Sequence, residues 1–354
     1  MGENQMNENG MNEYEAYEDR TIAQKKENRR FFSKIGLFYF AGGVVSRLLA
    51  QLAFALLTAW KPEWADNTNV SIIISAIMVY FIGMPLIVWL TKRLPASAPE
   101  QHAMKFHQWL GALVSGMAIA YISNVVGLLL AAIIGLAKGS AVNNPALNTI
   151  NSMNLGLSFV VMVLIAPAFE EMVFRKVLID RVRKYGEGVA VLLSGLMFGL
   201  FHGNLNQFAY AFTLGLVLAF IYVKTGKVRY TIFIHMTINS IGGLIAPLAL
   251  KLIDYEEYMR RYLIAIEYGD MQGLIEFMTE HMAGLVLMTL LAIVMLGAIL
   301  SGIIVLIVNA KKICFNRGEI TIAKGERFRT IILNVGMILF CIFWCGMIVV
   351  QLFI

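Results

Sequence analysis

The sequence predicts an all-α polytopic membrane protein with about nine transmembrane helices. Its 354 residues are 58% hydrophobic and 15% charged, whereas soluble domains are roughly 45–50% apolar and 25% charged. The mean hydropathy is +0.70. Apolar segments long enough to cross a bilayer recur along the whole chain. We predict spans at 35–60, 71–91, 109–137, 155–178, 188–203, 207–223, 230–250, 282–309 and 330–353, of which the fifth and sixth are the shortest.

Lysine and arginine concentrate in alternate loops between these spans. They are frequent before the first span and after the second, fourth, sixth and eighth, and sparser or outnumbered by acids elsewhere. By the positive-inside rule, this alternation predicts a cytoplasmic N-terminus and a C-terminus outside. The formal net charge of +6 is explained by this topology, so we expect the lipid bilayer and no nucleic acid as a partner.

Two regions between or before the spans are polar. Residues 1–34 are predicted to be a disordered cytoplasmic tail, acidic over 1–19 and basic over 20–34, ahead of a membrane domain at 35–354. The long loop at 251–281 mixes charges with apolar residues at helical spacing, which predicts one or two helices on the outer membrane interface. The polar N-terminal segment is compatible with an integral protein of a bacterial plasma membrane.

Two adjacent glutamates lie within the fourth predicted span. Glu171 and Arg175 are four residues apart and share a helix face, so they can form an ion pair. Glu170 points about 140° away from Arg175 and has no partner on its own helix. It requires a partner such as Arg47 on another helix, water, or a proton, which makes Glu170 the sharper candidate for chemistry.

Histidines and an asparagine occupy two further spans. His235 and Asn239 share a face of the seventh span, and their structural alternative is a pair of hydrogen bonds between helices. His202 ends a stretch in which Gly195, Gly199 and Gly203 form a small-residue stripe suited to close helix packing.

Phe198 lies one helical turn before His202 and is interpreted as a packing residue. With Glu170, the two histidines and the amide suit hydrolysis by an activated water. Alternatively, Glu170, His202 and His235 have the ligand types of a catalytic zinc.

Depth tests whether these residues can meet. Glu170 lies about 22 Å from the outer start of its span, and His235 lies about 8 Å from the cytoplasmic face. In a bilayer core of about 30 Å, these distances place the two residues at the same depth. His202 lies about 21 Å from the inner start of the fifth span and is too far outward. We therefore predict that the fifth helix begins well inside the cytoplasm or tilts strongly.

These residues carry a family resemblance. The ordered elements EEMVFR (170–175), FGLFH (198–202) and HMTIN (235–239) resemble those of type II CAAX prenyl endopeptidases and their bacterial relatives, the CPBP (Abi) group. The likeness covers about residues 155–245, which would form the catalytic core.

The resemblance implies an intramembrane endopeptidase whose chamber opens toward the cytoplasm. It would cut a peptide or protein substrate near the membrane, in a short and possibly lipid-modified C-terminal segment. Glu170 would be the base that activates water, held by His202, while His235 and Asn239 would form the oxyanion site.

Glu171, Arg175 and Phe198 would support the geometry. The resemblance leaves open whether a metal is used. It also leaves open a non-enzymatic alternative, a membrane protein that binds a peptide or partner, as bacteriocin immunity proteins do.

Overall fold

A computed structural model describes residues 13–353, and side chains from residue 21 onward except at 146, 147 and 151. All regular elements in this part of the chain are helices, which confirms the predicted fold class. Eight are long and apolar enough to cross a membrane. In chain order they are α1 (Glu13–Trp60), α2 (Thr68–Thr91), α3 (Phe106–Lys138), α5 (Leu155–Tyr185), α7 (Leu205–Thr225), α8 (Val228–Ile253), α11 (Met282–Lys312) and α13 (Val335–Phe353).

The shorter helices complete the described chain. They are α4 (Pro145–Ser152), α6 (Glu187–Phe201), α9 (Tyr255–Tyr268), α10 (Met271–Glu280) and α12 (Arg327–Ile331). The loop at 251–281, for which one or two helices were predicted, therefore contains two, α9 and α10. Their position on the membrane interface stays a prediction, as does the orientation of the termini.

The structure has eight helices of spanning length among the described residues, against about nine predicted, and the remaining predicted span is a shorter apolar helix. Helix α6, the predicted fifth span, has 15 residues and is about 22 Å long, which is shorter than a hydrocarbon core of about 30 Å. Its first residue, Glu187, pairs with Lys224 at the end of α7 and accepts hydrogen bonds from Asn316 in the loop after α11. Both partners lie in segments predicted to be cytoplasmic. The helix therefore begins at that end of the bundle. The turn that follows it leads to the opposite end, where the Leu205 N–H donates to Gln351 Oε1 and Asn206 Nδ2 donates to the Asn143 carbonyl oxygen.

The first helix extends into the predicted tail. It begins at Glu13, and Phe31 and Phe32 are buried against the ring of Tyr185. Residues 21–34 are thus helical, and the predicted disorder is wrong for them because two phenylalanines anchor the basic segment to α5. Residues 1–12 of the predicted tail lie outside the described residues.

Glycines set the packing of α6 against α7. A Cβ atom on Gly195 would lie 2.6 Å from Leu216 Cδ2, and one on Gly199 would lie 2.9 Å from Phe212 Cβ. The predicted close approach is therefore confirmed for these two residues. Gly203 has φ +61° and lies in the turn that follows α6, where glycine is favoured because it lacks a Cβ.

Helix α5 is irregular on both sides of the two glutamates. Wider, π-helical turns at Phe159–Ile165 and Met172–Val177 flank the regular turn Ala166–Glu171. Pro167, which lacks an N–H group, lies between them. Such turns are often found at functional sites. Here they flank the turn that carries Glu170 and Glu171.

Candidate active site

Glu171, Arg175 and His235 form a buried charged cluster. Glu171 Oε2 lies 3.0 Å from Arg175 Nε, and both side chains are fully buried. Glu171 Oε1 lies 3.0 Å from His235 Nδ1. Because a carboxylate only accepts hydrogen bonds, His235 donates from Nδ1, which leaves Nε2 as the atom available for chemistry. The predicted Glu171–Arg175 pair is confirmed, and it also orients His235.

Glu170 faces a different environment. Its side chain is 13% exposed, and Oε2 lies 3.8 Å from His235 Nε2. Its other oxygen, Oε1, accepts a hydrogen bond of 3.2 Å from the hydroxyl of Tyr80. The alternative that Glu170 pairs with Arg47 is not borne out among the described residues, because the Arg47 guanidinium packs on the ring of Trp344 at 4.8 Å.

His202 and His235 both pack against the aromatic ring of Phe198. Phe198 lies edge-to-face with His202 at 4.9 Å and with His235 at 5.7 Å. The guanidinium of Arg175 lies 4.5 Å from the same ring. His202 Nδ1 is 2.9 Å from the carbonyl oxygen of Phe198. This carbonyl can only accept, so His202, like His235, keeps Nε2 for chemistry.

Asn239 is held by the irregular turn of α5. Its Nδ2 group donates to the carbonyl oxygen of Met162 at 2.9 Å, inside the π-helical segment Phe159–Ile165. An amide has two N–H groups, so this bond orients Asn239 and leaves the second N–H for another acceptor.

One cavity of about 510 Å³ brings the predicted residues together. Glu170, Phe198, His202, His235 and Asn239 all line it, so the predicted convergence of three separate segments occurs. His202, which directly follows α6, lines the cavity although its estimated depth placed it too far outward. The cavity extends from these residues to the opposite end of the bundle, where further lining residues lie: Thr149, Ile150 and Met153. The opening toward the cytoplasm that the resemblance implied stays a prediction.

Polar residues to which the sequence motifs do not point also line this cavity. Tyr80, Gln207 and Tyr210 lie there, and Gln207 donates to the Tyr210 hydroxyl at 3.0 Å. For Tyr80, its position within the predicted span was a signal in the sequence. Tyrosines of membrane helices concentrate at the membrane interfaces, whereas Tyr80 lies near the middle of its predicted span.

The three candidate metal ligands do not fit a zinc site as they stand. Within the described part of the chain, no group of three histidine, cysteine or carboxylate side chains is close enough to hold a metal ion. Glu170 and His235 approach each other to 3.8 Å, and both histidines keep Nε2 free because their Nδ1 atoms face Glu171 and the Phe198 carbonyl, but His202 does not complete a group of three ligands. We therefore derive no step through a metal.

Comparison with known proteins agrees with the motif pattern. The family model described as "Type II CAAX prenyl endopeptidase Rce1-like" matches residues 152–241. This range contains all three motif elements. We refer to the matched residues 152–241 as the Rce1-like domain. The resemblance drawn from the motifs is confirmed over this range, and the eight apolar helices indicate an integral membrane protein.

A bacterial relative extends the likeness beyond the Rce1-like domain. The chain is 25% identical over 167 residues to the "Putative membrane peptidase YdiL" of Bacillus subtilis (strain 168), across 46% of this chain and 68% of that protein. No solved structure matches. The family assignment thus rests on sequence, and the roles of individual residues in the Rce1-like domain stay predictions.

Proposed function

We propose that this protein is an intramembrane endopeptidase in which Glu170 activates the attacking water. One observation carries the proposal: the Glu170 carboxylate lines the cavity, and its Oε2 lies 3.8 Å from His235 Nε2. This separation is too long for a direct hydrogen bond. One water about 2.8 Å from each atom could bridge Glu170 Oε2 and His235 Nε2. Such a water can donate one hydrogen to Glu170 and the other to His235.

The cluster behind the site supports this arrangement. Glu171 holds His235 by Nδ1 and is itself neutralised by Arg175. With Nδ1 as the donor to Glu171, a neutral His235 ring presents an Nε2 lone pair, which suits holding water. In this form it cannot donate to an oxyanion. We therefore propose that His235 and His202 orient the water, and that the second N–H of Asn239 stabilises the oxyanion.

The proposed reaction is a water-mediated peptide hydrolysis. Glu170 removes a proton from water as the oxygen attacks the carbonyl carbon, which gives a tetrahedral intermediate with its oxyanion near Asn239. Glu170 then delivers the proton to the leaving nitrogen, and the C–N bond breaks to give a carboxylic acid and an amine. A general base of this kind contributes roughly 10²–10⁴-fold to the rate.

The cavity favours an apolar substrate segment. Its volume falls in the range of about 300–1,000 Å³ that is typical of ligand sites, and much of its wall is apolar. The apolar lining residues include Ile72, Ile150, Met153, Val161, Met162, Leu214 and Ile238. Together with the family description, this supports a short C-terminal segment, with or without an attached lipid, as the substrate. The Bacillus relative supports a bacterial plasma membrane as the location.

Cleavage and binding can be separated in one experiment. Purified protein and Glu170→Gln are given three internally quenched peptides: a farnesylated peptide ending in Cys-aliphatic-aliphatic-X, the same peptide without farnesyl, and an unrelated apolar peptide. We expect wild-type protein to cut at least one, and Glu170→Gln to bind that peptide by fluorescence anisotropy without cutting it. Glu257→Gln, in the exposed helix α9, is the control with unchanged activity. Equal cleavage by Glu170→Gln, or binding of peptides without cleavage by wild-type protein, would replace the hydrolase with a peptide-binding protein.

A further inference from the structure

Tyr80 contacts the proposed catalytic base from outside the Rce1-like domain. It lies on α2, and its hydroxyl donates to Glu170 Oε1 at 3.2 Å. Its ring also packs at 6.0 Å on Phe169, the residue before Glu170. We propose that Tyr80 is a positioning residue that fixes the Glu170 carboxylate for water activation. This inference rests on the proposed function and adds a residue that neither the motifs nor the matched range contains.

The two oxygens of Glu170 have separate environments. Tyr80 makes the one hydrogen bond to Glu170 among the described residues, and it does so at Oε1. Oε2 faces His235 Nε2 and is left for the water. A glutamate side chain has three rotatable bonds, so without Tyr80 the carboxylate could turn away from His235. Misplacement of a reacting group by about 1 Å can reduce a rate by 10²-fold.

The backbone around Tyr80 is built to hold it in place. Tyr80 lies within the π-helical turn Ile77–Gly83 of α2. Gly83, at the end of this turn, packs directly on α1, since a Cβ there would lie 2.7 Å from Ser46 Cβ and 2.8 Å from the Gly42 carbonyl oxygen. The close α1–α2 contact fixes the turn. Tyr80 is thus directed at Glu170 by local helix geometry and by glycine packing together.

Tyr80 also forms a wall between two cavities. It lines the site cavity and a neighbouring one of about 340 Å³, whose lining includes the hydroxyls of Thr68, Ser71, Ser75 and Thr149. A phenylalanine at position 80 would keep this wall and the contact with Phe169. Tyr80→Phe therefore removes only the hydrogen bond to Glu170 and tests the positioning role by itself.

Another tyrosine of the chain provides a matched control. The hydroxyl of Tyr222 donates to Asp180 Oδ1 at 2.7 Å, in a buried site away from the cavity. Tyr222→Phe thus deletes the same kind of bond, from tyrosine to carboxylate, without touching the proposed machinery. Its thermal stability should fall at least as much as that of Tyr80→Phe, while its kcat stays at the wild-type value.

The test measures kcat, KM and thermal unfolding for the full chain in detergent with the quenched peptide that wild-type protein cuts. We expect Tyr80→Phe to lower kcat by about 10- to 100-fold with KM nearly unchanged, because position and not substrate binding is lost. Wild-type kcat in Tyr80→Phe, with Glu170→Gln inactive, would overturn this inference and leave the proposed function standing. An active Glu170→Gln, or a wild-type protein that cuts no peptide, would overturn both.

Discussion

Replacing Glu171 with glutamine should strongly destabilise the folded protein. Glu171 and Arg175 are both fully buried, with 3.0 Å between Oε2 and Nε. In Glu171→Gln the guanidinium keeps the Ser194 hydroxyl at 3.1 Å and the Phe198 ring at 4.5 Å, but it loses the charge that neutralises it. Removing one partner of a buried ion pair typically costs about 3–5 kcal/mol. We therefore expect the free energy of unfolding to fall by about this amount.

The assay is denaturant-induced unfolding of the purified protein in detergent, followed by circular dichroism. Glu257→Gln is the matched control, because Glu257 also contacts two arginines, Arg260 and Arg261, but on the exposed helix α9. Hydrogen bonds from these arginines lower the pKa of Glu257 to about 2, so at neutral pH the control also removes a full charge. Its stability should stay near that of the wild type.

The double variant Glu171→Gln/Arg175→Gln distinguishes an unpaired charge from lost packing. If the cost arises from the buried charge of Arg175, neutralising that residue should recover part of the stability lost in Glu171→Gln. A loss in Glu171→Gln of no more than about 1 kcal/mol, the scale of a surface pair, would refute the reasoning.

Three further predictions address packing, the oxyanion site and topology. Gly199→Ala should destabilise the protein by about 1–3 kcal/mol, because the added Cβ would lie 2.9 Å from Phe212 Cβ. The control Gly297→Ala, where a Cβ would have nothing within 4 Å, should leave the stability unchanged. Equal unfolding temperatures of the two variants would contradict this packing. Asn239→Ala should lower kcat by about 10²–10³-fold in the quenched-peptide assay, and an unchanged kcat would remove Asn239 from the oxyanion site. Alkaline phosphatase fused after residue 354 should be active outside the cell and fused after residue 184 inactive, and the reverse pattern would contradict the predicted orientation.

Much of the fold follows from the hydropathy and spacing of the sequence. Long apolar segments and the ordered motifs identified the spans and the Rce1-like domain, because both depend on local residue order. The spacing of Glu171 and Arg175 gave their ion pair directly. The length of α6 was harder, since hydropathy alone does not show where an apolar helix begins and ends.

The rest of the site depends on contacts between distant segments. The bond from Tyr80 to Glu170 joins residues 90 positions apart, and the bond from Asn239 to the Met162 carbonyl requires a π-helical turn in α5. A single sequence contains no periodicity that reveals such a turn. The burial of Phe31 and Phe32 against Tyr185 likewise depends on tertiary packing, so a basic segment that is polar on average was predicted to be disordered.

The most direct test of glutamate-activated hydrolysis is the cleavage rate of the quenched peptide after metal removal. Wild-type protein is treated with 1,10-phenanthroline and EDTA, dialysed, and compared with untreated wild-type protein and with Glu170→Gln, the cut site being confirmed by mass spectrometry. The geometry predicts that treated wild-type protein keeps its rate and that Glu170→Gln loses about 10²–10⁴-fold. Loss of the wild-type rate with recovery on adding Zn²⁺, or full activity in Glu170→Gln, would contradict water activation by Glu170 alone.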